Sequence, residues 1–163
     1  MSNIILVGMP ACGKSTVGVI LAKTVGKNFI DTDLLIQEKE GALLQEIINE
    51  KGNDYFKNLE EAILSNLQAQ NAVISTGGSA VYYEEAMEHL RKSGKIIYLK
   101  LPLSVIESRL DNIGTRGITM AKGDTLESLY QRRAALYEKE ADVVLESEGM
   151  TVEETVEEIL RQL

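Results

Sequence analysis

The sequence predicts an α/β fold: a five-stranded parallel sheet between two helical layers, a three-layer α/β/α arrangement in one domain over residues 1–163. Three observations predict it. Short apolar runs alternate with stretches of helical period along the whole chain, the pattern of parallel strands joined by crossover helices. The first run, Ile4-Ile5-Leu6-Val7, is continuous instead of alternating, as a strand covered on both faces requires. No repeat, low-complexity tract or Pro/Ser-rich linker divides the 163 residues, a length that suits one sizeable core.

The elements follow in order. Residues 3–7 are the first strand. Residues 14–25 form a helix with Val17, Ile20, Leu21 and Val25 on one stripe, closed by Gly26. Phe29-Ile30 is a second strand ending in Asp31-Thr32-Asp33, and a helix follows until Gly41 breaks it. Leu43, Leu44, Ile47 and Ile48 make a short helix closed by Gly52. The next helix carries Tyr55, Phe56, Leu59, Ile63, Leu64 and Leu67. Three helical pieces exceed what one crossover needs, so residues of about 32–62 are expected to form a helical flap over a substrate pocket. Ala72–Ser75 is a third strand, residues 83–92 a helix, Lys95–Leu99 a fourth strand and residues 103–111 a helix. Residues 112–124 hold Gly114, Gly117 and Gly123 without apolar period and read as a mobile lid. Thr125 opens a helix to about 139, Val143–Leu145 is the fifth strand, and Thr151-Val152-Glu153-Glu154 is the capping box of a last helix.

Composition excludes several functions. Hydrophobic content of 44% and charged content of 26% are ordinary for a globular protein. The formal net charge of −8 argues against a nucleic-acid backbone or an anionic membrane as partner. Cys12 is the single cysteine, which excludes an internal disulfide. No apolar run approaches the ~18 residues of a membrane span, and Met1-Ser2-Asn3 lacks the basic segment of a signal peptide. Cytoplasm is the expected location.

The chemistry gathers after the predicted strands. Gly8-Met9-Pro10-Ala11-Cys12-Gly13-Lys14-Ser15 has the spacing G-x-x-x-x-G-K-[ST] between a strand and a helix, the phosphate-cradling loop of P-loop NTPases. Its glycines let backbone N–H groups turn onto a polyphosphate, Lys14 reaches the β- and γ-phosphates, and the Ser15 hydroxyl ligates Mg²⁺. Gly8, Ala11, Cys12, Gly13, Lys14, Ser15 and Thr16 are thus the candidate ATP-binding residues, with Cys12 as a small filler. Phosphoryl transfer further needs a carboxylate for the metal, an oriented hydroxyl and positive charge on the moving group. Asp31 ends the second strand and suits the metal sphere with Ser15, while Asp33, two residues on, suits a substrate hydroxyl. The alternative for this pair is a helix N-cap. Arg116, between Gly114 and Gly117, can bring charge to the transferring group. Lys57 and Glu60 read as a surface pair one turn apart, and one of Arg132 and Arg133 points inward.

Over nearly its whole length, and in order, the chain resembles the shikimate kinases, small P-loop kinases of the nucleoside-monophosphate-kinase fold. The resemblance is carried by GMPACGKST, by Phe29-Ile30-Asp31-Thr32-Asp33, by Gly52–Glu60, by Thr76-Gly77-Gly78, by Arg116 and by Arg133-Ala134-Ala135-Leu136-Tyr137. It implies ATP and Mg²⁺ as cofactors and shikimate as the small hydroxy-acid acceptor. Lys14, Asp31, Asp33 and Arg116 become the catalytic set, and Ser15 and Asp31 the metal ligands. Asp33, Lys57, Gly77, Gly78, Ser79 and Arg133 line the acceptor site. Arg116 closes over ATP, and Arg109 stacks on adenine. A monomer or weak homodimer is implied. Five features depart from the family pattern, one being Ser147-Glu148-Gly149-Met150 where the family has an adenine-side arginine. Lys57 stands where the family grips the substrate carboxylate with arginine, Ser79 where it has a third glycine, and Gly117 and Ala135 where it has prolines. A lysine keeps the charge and loses the bidentate fork. The departures leave open an acceptor that is another polyol acid such as gluconate, or a nucleotide-binding regulatory module with little kinase activity.

Overall fold

The structure, a computed structural model, describes residues 2–113 and 123–163. All five strands are parallel: β1 (Asn3–Val7), β2 (Asn28–Asp31), β3 (Ala72–Ser75), β4 (Gly94–Lys100) and β5 (Val143–Glu146), in the order β2-β3-β1-β4-β5. Every residue of β1 and β3 is buried, which explains their unbroken apolar runs. From β1 the chain crosses to β2, returns to β3, then passes to β4 on the other side of β1. This reversal opens a crevice beyond the carboxyl ends of β1 and β3, where ligands of open α/β sheets bind.

The helices are α1 (Lys14–Val25), α2 (Thr32–Glu40), α3 (Leu44–Ser65), α4 (Glu84–Ser93), α5 (Leu103–Ile113), α6 (Leu126–Glu140) and α7 (Val152–Gln162). α1 packs with α7, while α3, α4 and α6 gather around a 3₁₀ turn at Ala80–Tyr82. Their ends follow local chemistry. Gly26 and Gly41 close α1 and α2 in left-handed conformation, each donating back to a carbonyl of the last turn. Asp31, Thr125 and Thr151 cap α2, α6 and α7 through their side chains. Gly52, at φ 86 and ψ 167, kinks α3 into the two helices that the sequence predicts there.

A large core of strand and helix side chains runs through the sheet, and a second, small one holds Ile36, Ile47 and Phe56 between α2 and α3. Burying each of these three side chains contributes about 1.5–3 kcal/mol, enough to hold α2 and α3 together beside the sheet. The expected loop over 112–124 begins later than the glycine pattern suggests, because α5 continues to Ile113. Residues 114–122 of the expected lid, Arg116 among them, lie outside the described residues.

Candidate active site

The loop between β1 and α1 is built by backbone constraints. A Cβ on Gly8 would lie 2.8 Å from both Cys12 Sγ and the Leu99 carbonyl oxygen, so glycine alone fits. Gly13 caps α1 at φ 97 without a side-chain bond, leaving the helix N-terminus to the cavity with its N–H groups and partial positive charge. Ala11 stands at φ 67, a strained conformation for a residue with a Cβ. The Lys14 ammonium is buried in the loop and donates to the carbonyls of Gly8 at 2.7 Å and Met9 at 2.9 Å. Arg109 on α5 donates to the Ala11 carbonyl at 3.0 Å, which sets a guanidinium over the same loop.

The strand register brings the next group in. Asp31 lies opposite Ser75 on β3, at the end of β2 nearest the loop. Its Oδ2 accepts from Ser15 Oγ at 2.7 Å, and its Oδ1 accepts from the Asp33 amide at 2.9 Å. One carboxylate therefore caps α2, as the N-cap reading expects, and holds the Ser15 hydroxyl at once. A hydroxyl and a carboxylate are hard oxygen donors that fit Mg²⁺, which keeps waters and phosphate oxygens as its other ligands. Among the described residues no group of three or more His, Cys, Asp or Glu could hold a metal ion.

Across the cavity stands the segment Thr76–Ser79. Thr76 is anchored by its hydroxyl and amide to the Leu6 carbonyl, at 2.9 and 3.2 Å, and the Gly78 carbonyl accepts from the Tyr137 hydroxyl. Side chains crowd both glycines, at Gly78 against the rigid Pro10 ring. A Cβ on Gly78 would lie 2.8 Å from Arg133 Nη1 and from Pro10 Cδ, and one on Gly77 would lie 2.7 Å from Asp33 Oδ1 and from Glu60 Oε2. Arg133 is 1% exposed and stacks its guanidinium over the Tyr82 ring at 5.5 Å. Glu60, equally buried, accepts from the hydroxyls of Ser79 and Tyr83 on its Oε1. Burial pushes the Glu60 carboxyl above the ordinary value of 4.5, against the pull of the two hydroxyls and the Arg133 charge. Burial and the neighbouring Glu60 push the Tyr83 phenol upward, and burial does the same to Tyr137.

A cavity of about 480 Å³ joins the two sides. Its wall includes Ala11, Gly13, Lys14, Ser15, Thr16 and Arg109 from the phosphate side. From the other side come Asp33, Gly77, Gly78, Ser79 and Arg133 together with Leu44, Phe56 and Glu60. Gly8 and Cys12 are buried within the loop and do not line the cavity. Lys57, expected on the acceptor side, is exposed and does not line the cavity. Phe56 and Glu60, one turn apart, define the inward face of α3, and the residue after Phe56 is rotated about 100° away. Glu60 needs correction. Read as half of a surface pair, it is a buried wall residue. Its position within the apolar stripe, between Phe56 and Leu64, was the signal that could have found it. Of the two adjacent arginines, Arg133 points inward, while Arg132 pairs with Asp124 at 2.7 Å.

The chain is similar to known proteins over nearly its whole length. A sequence model described as shikimate kinase matches residues 10–163. The shikimate kinase of Persephonella marina is 34% identical over 164 residues, covering 100% of this chain and 99% of its own. The crystallised shikimate kinase from Acinetobacter baumannii in complex with shikimate superposes with a TM-score of 0.90 at 30% identity, covering 99% of this chain and 92% of that one. A gluconokinase from Sinorhizobium meliloti shares the fold at a TM-score of 0.57 and 20% identity, covering 98% of this chain and 90% of that one. Among the described residues no helix is long and apolar enough to cross a membrane.

Proposed function

The chain belongs to the shikimate kinase family, and we propose that it transfers the γ-phosphoryl group of ATP to a ring hydroxyl of shikimate, giving shikimate 3-phosphate and ADP. The observation that carries this reading is the single cavity in which Asp33, Gly78 and Arg133 face Lys14 and Ser15. A phosphate cradle and a hydroxyl-binding wall opening on the same space allow in-line transfer without release of an intermediate.

The roles follow from the chemistry of each group. When bound, Mg²⁺ supplies charge neutralisation on the phosphates, and Ser15 and Asp31 would hold it. Lys14 and the N-terminal amides of α1 receive the polyphosphate, and Arg109 covers the nucleotide side of the loop. Asp33 orients the acceptor hydroxyl and takes its proton as the new phosphate ester forms. Arg133 receives the carboxylate of the acid through its fork of N–H donors. Arg116 adds charge at the transferring group, by the family resemblance. The exposed position of Lys57 favours Arg133 as the principal cation for the acceptor. The protein is read as one domain over 1–163 with a flap at about 32–62 and a lid at about 112–124. It acts in the cytoplasm as a monomer or weak homodimer.

Coupled ADP release measured with shikimate, gluconate and other hydroxy acids at equal concentration tests the reading. Shikimate should lead by orders of magnitude in kcat/KM. Turnover with shikimate no higher than background ATPase would reject it.

A further inference from the structure

The wall opposite the phosphate loop holds more than an arginine and a base. Glu60 comes from α3 and reaches the Thr76–Ser79 segment, where the hydroxyls of Ser79 and Tyr83 converge on one of its oxygens, Oε1. The other oxygen, Oε2, faces Gly77. It lies 2.7 Å from the point where a Cβ on that glycine would stand, and Asp33 Oδ1 lies 2.7 Å from the same point. The two carboxylate oxygens are therefore no farther apart than twice that distance, side by side on the cavity wall. Glu60 and Asp33 both line the cavity, as does Ser79.

From this geometry we infer that Ser79 is a specificity-determining positioning residue: it fixes the buried Glu60 carboxylate so that Oε2, beside Asp33 Oδ1, receives a second hydroxyl of the acceptor. The inference rests on the proposed function and adds to it a recognition element for adjacent hydroxyls. Two fixed acceptors at this separation suit two hydroxyls on neighbouring ring carbons, each donating one hydrogen bond. Asp33 takes the hydroxyl that reacts, and Glu60 takes its neighbour.

Ser79 matters because of the forces on Glu60. Among the described residues, the charged groups around this carboxylate are Asp33 on α2 and Arg133 on α6, with the Tyr83 phenol ahead of α4. Arg133 attracts the carboxylate and Asp33 repels it. Two hydroxyls on Oε1 hold the group against both influences and fix its plane. One hydroxyl leaves it free to turn about a single bond, which withdraws Oε2 from its place over Gly77.

Steady-state kinetics of Ser79→Ala, Ser79→Thr and Glu60→Gln with shikimate, and with an analogue lacking the hydroxyl next to the phosphorylated one, test the inference. Ser79→Ala should raise KM for shikimate about tenfold, the loss of one hydrogen bond to a charged group, with KM for ATP within about twofold. KM for the deoxy analogue should stay as in the wild type, so discrimination between the two acceptors collapses. Ser79→Thr keeps the hydroxyl and should restore it. Glu60→Gln keeps a carbonyl for the hydroxyls of Ser79 and Tyr83 but turns a donor toward the cavity. It should lose the same discrimination, which keeps the test open if Ser79→Ala folds poorly. An equal rise in KM for both acceptors, or an unchanged KM for shikimate, would overturn the inference. If the wild type uses another hydroxy acid and not shikimate, the proposed function fails. The same comparison with that acid and its deoxy analogue then decides the role of Ser79.

Discussion

Replacing Glu60 by glutamine should make the protein more stable at neutral pH, and the gain should depend on pH. Burial raises the Glu60 carboxyl in the folded protein above its ordinary value of 4.5, and the hydroxyls of Ser79 and Tyr83 and the charge of Arg133 do not reverse the shift. The folded state therefore holds this proton more tightly than the unfolded chain. Between the unfolded and the folded pKa, the folded state carries more protons, so stability falls as pH rises through that window. The loss is about 1.4 kcal/mol for each pH unit of the window, and levels off above the folded pKa. A chain of this length loses about 2–4 °C in Tm per kcal/mol, which makes the slope about 3–6 °C per pH unit. Glutamine has no proton to gain and keeps an acceptor for both hydroxyls. Tm measured for wild type and Glu60→Gln from pH 4 to 8 isolates this corner of the wall, because titrating groups away from Glu60 cancel in the difference. The offset between the curves at the acid end should change in favour of the variant as pH rises above 4.5. Parallel curves, or a variant that falls behind with rising pH, would refute the reasoning.

Gly77→Ala places a methyl group 2.7 Å from both Asp33 Oδ1 and Glu60 Oε2. Overpacking of this kind amounts to about 1–3 kcal/mol. It should appear as a raised KM for the acceptor, with KM for ATP changed far less, in paired titrations of the two substrates. Asp31→Asn separates the two tasks of that side chain. Asparagine caps a helix as well as aspartate does, so Tm should change by less than about 1 kcal/mol equivalent. It carries no charge for a cation, so activity should fall and its half-maximal Mg²⁺ concentration should rise severalfold. A Mg²⁺ titration beside a melting curve reads both, and a large drop in Tm with unchanged Mg²⁺ dependence would mean that the cap is its main task.

Most of the fold was legible because its signals are local. The unbroken apolar run of β1, the stripe of α1 and the glycines at 26 and 41 act within a few residues. The same holds for the phosphate loop, whose spacing is its mechanism. The strand order was not legible, since nothing within β2 or β3 states which neighbour it will pair. The 3₁₀ turn at Ala80–Tyr82 was missed because its bonds, from Ala80 to Gly77 and from Tyr82 to Ser79, continue a glycine segment without apolar period. Site residues on α3 were harder still. Lys57 and Glu60 have the spacing of a solvated pair, although Glu60 falls on the stripe of Phe56 and Leu64, and the packing of Phe56 into the small core turns that stripe inward. Ala11 in a left-handed conformation has no sequence signal at all, because alanine is a poor choice for it.

Glu60 also bears on why such a residue stands in this wall. A buried carboxylate whose pKa is raised by its surroundings lowers stability at neutral pH, so packing alone gives no reason to have it. A glutamine of nearly the same shape would satisfy Ser79 and Tyr83 without that penalty. What glutamine cannot offer with certainty of orientation is a second oxygen acceptor beside Asp33, nor a negative charge to accompany the buried Arg133. The two glycines support the same conclusion. Gly77 leaves room for Asp33 and Glu60 to converge, and Gly78 leaves room for the Arg133 guanidinium against Pro10. Backbone without side chains on one wall thus permits three charged groups to meet over it, and the stability lost there is the consequence of building a polar, hydroxyl-reading surface inside a protein.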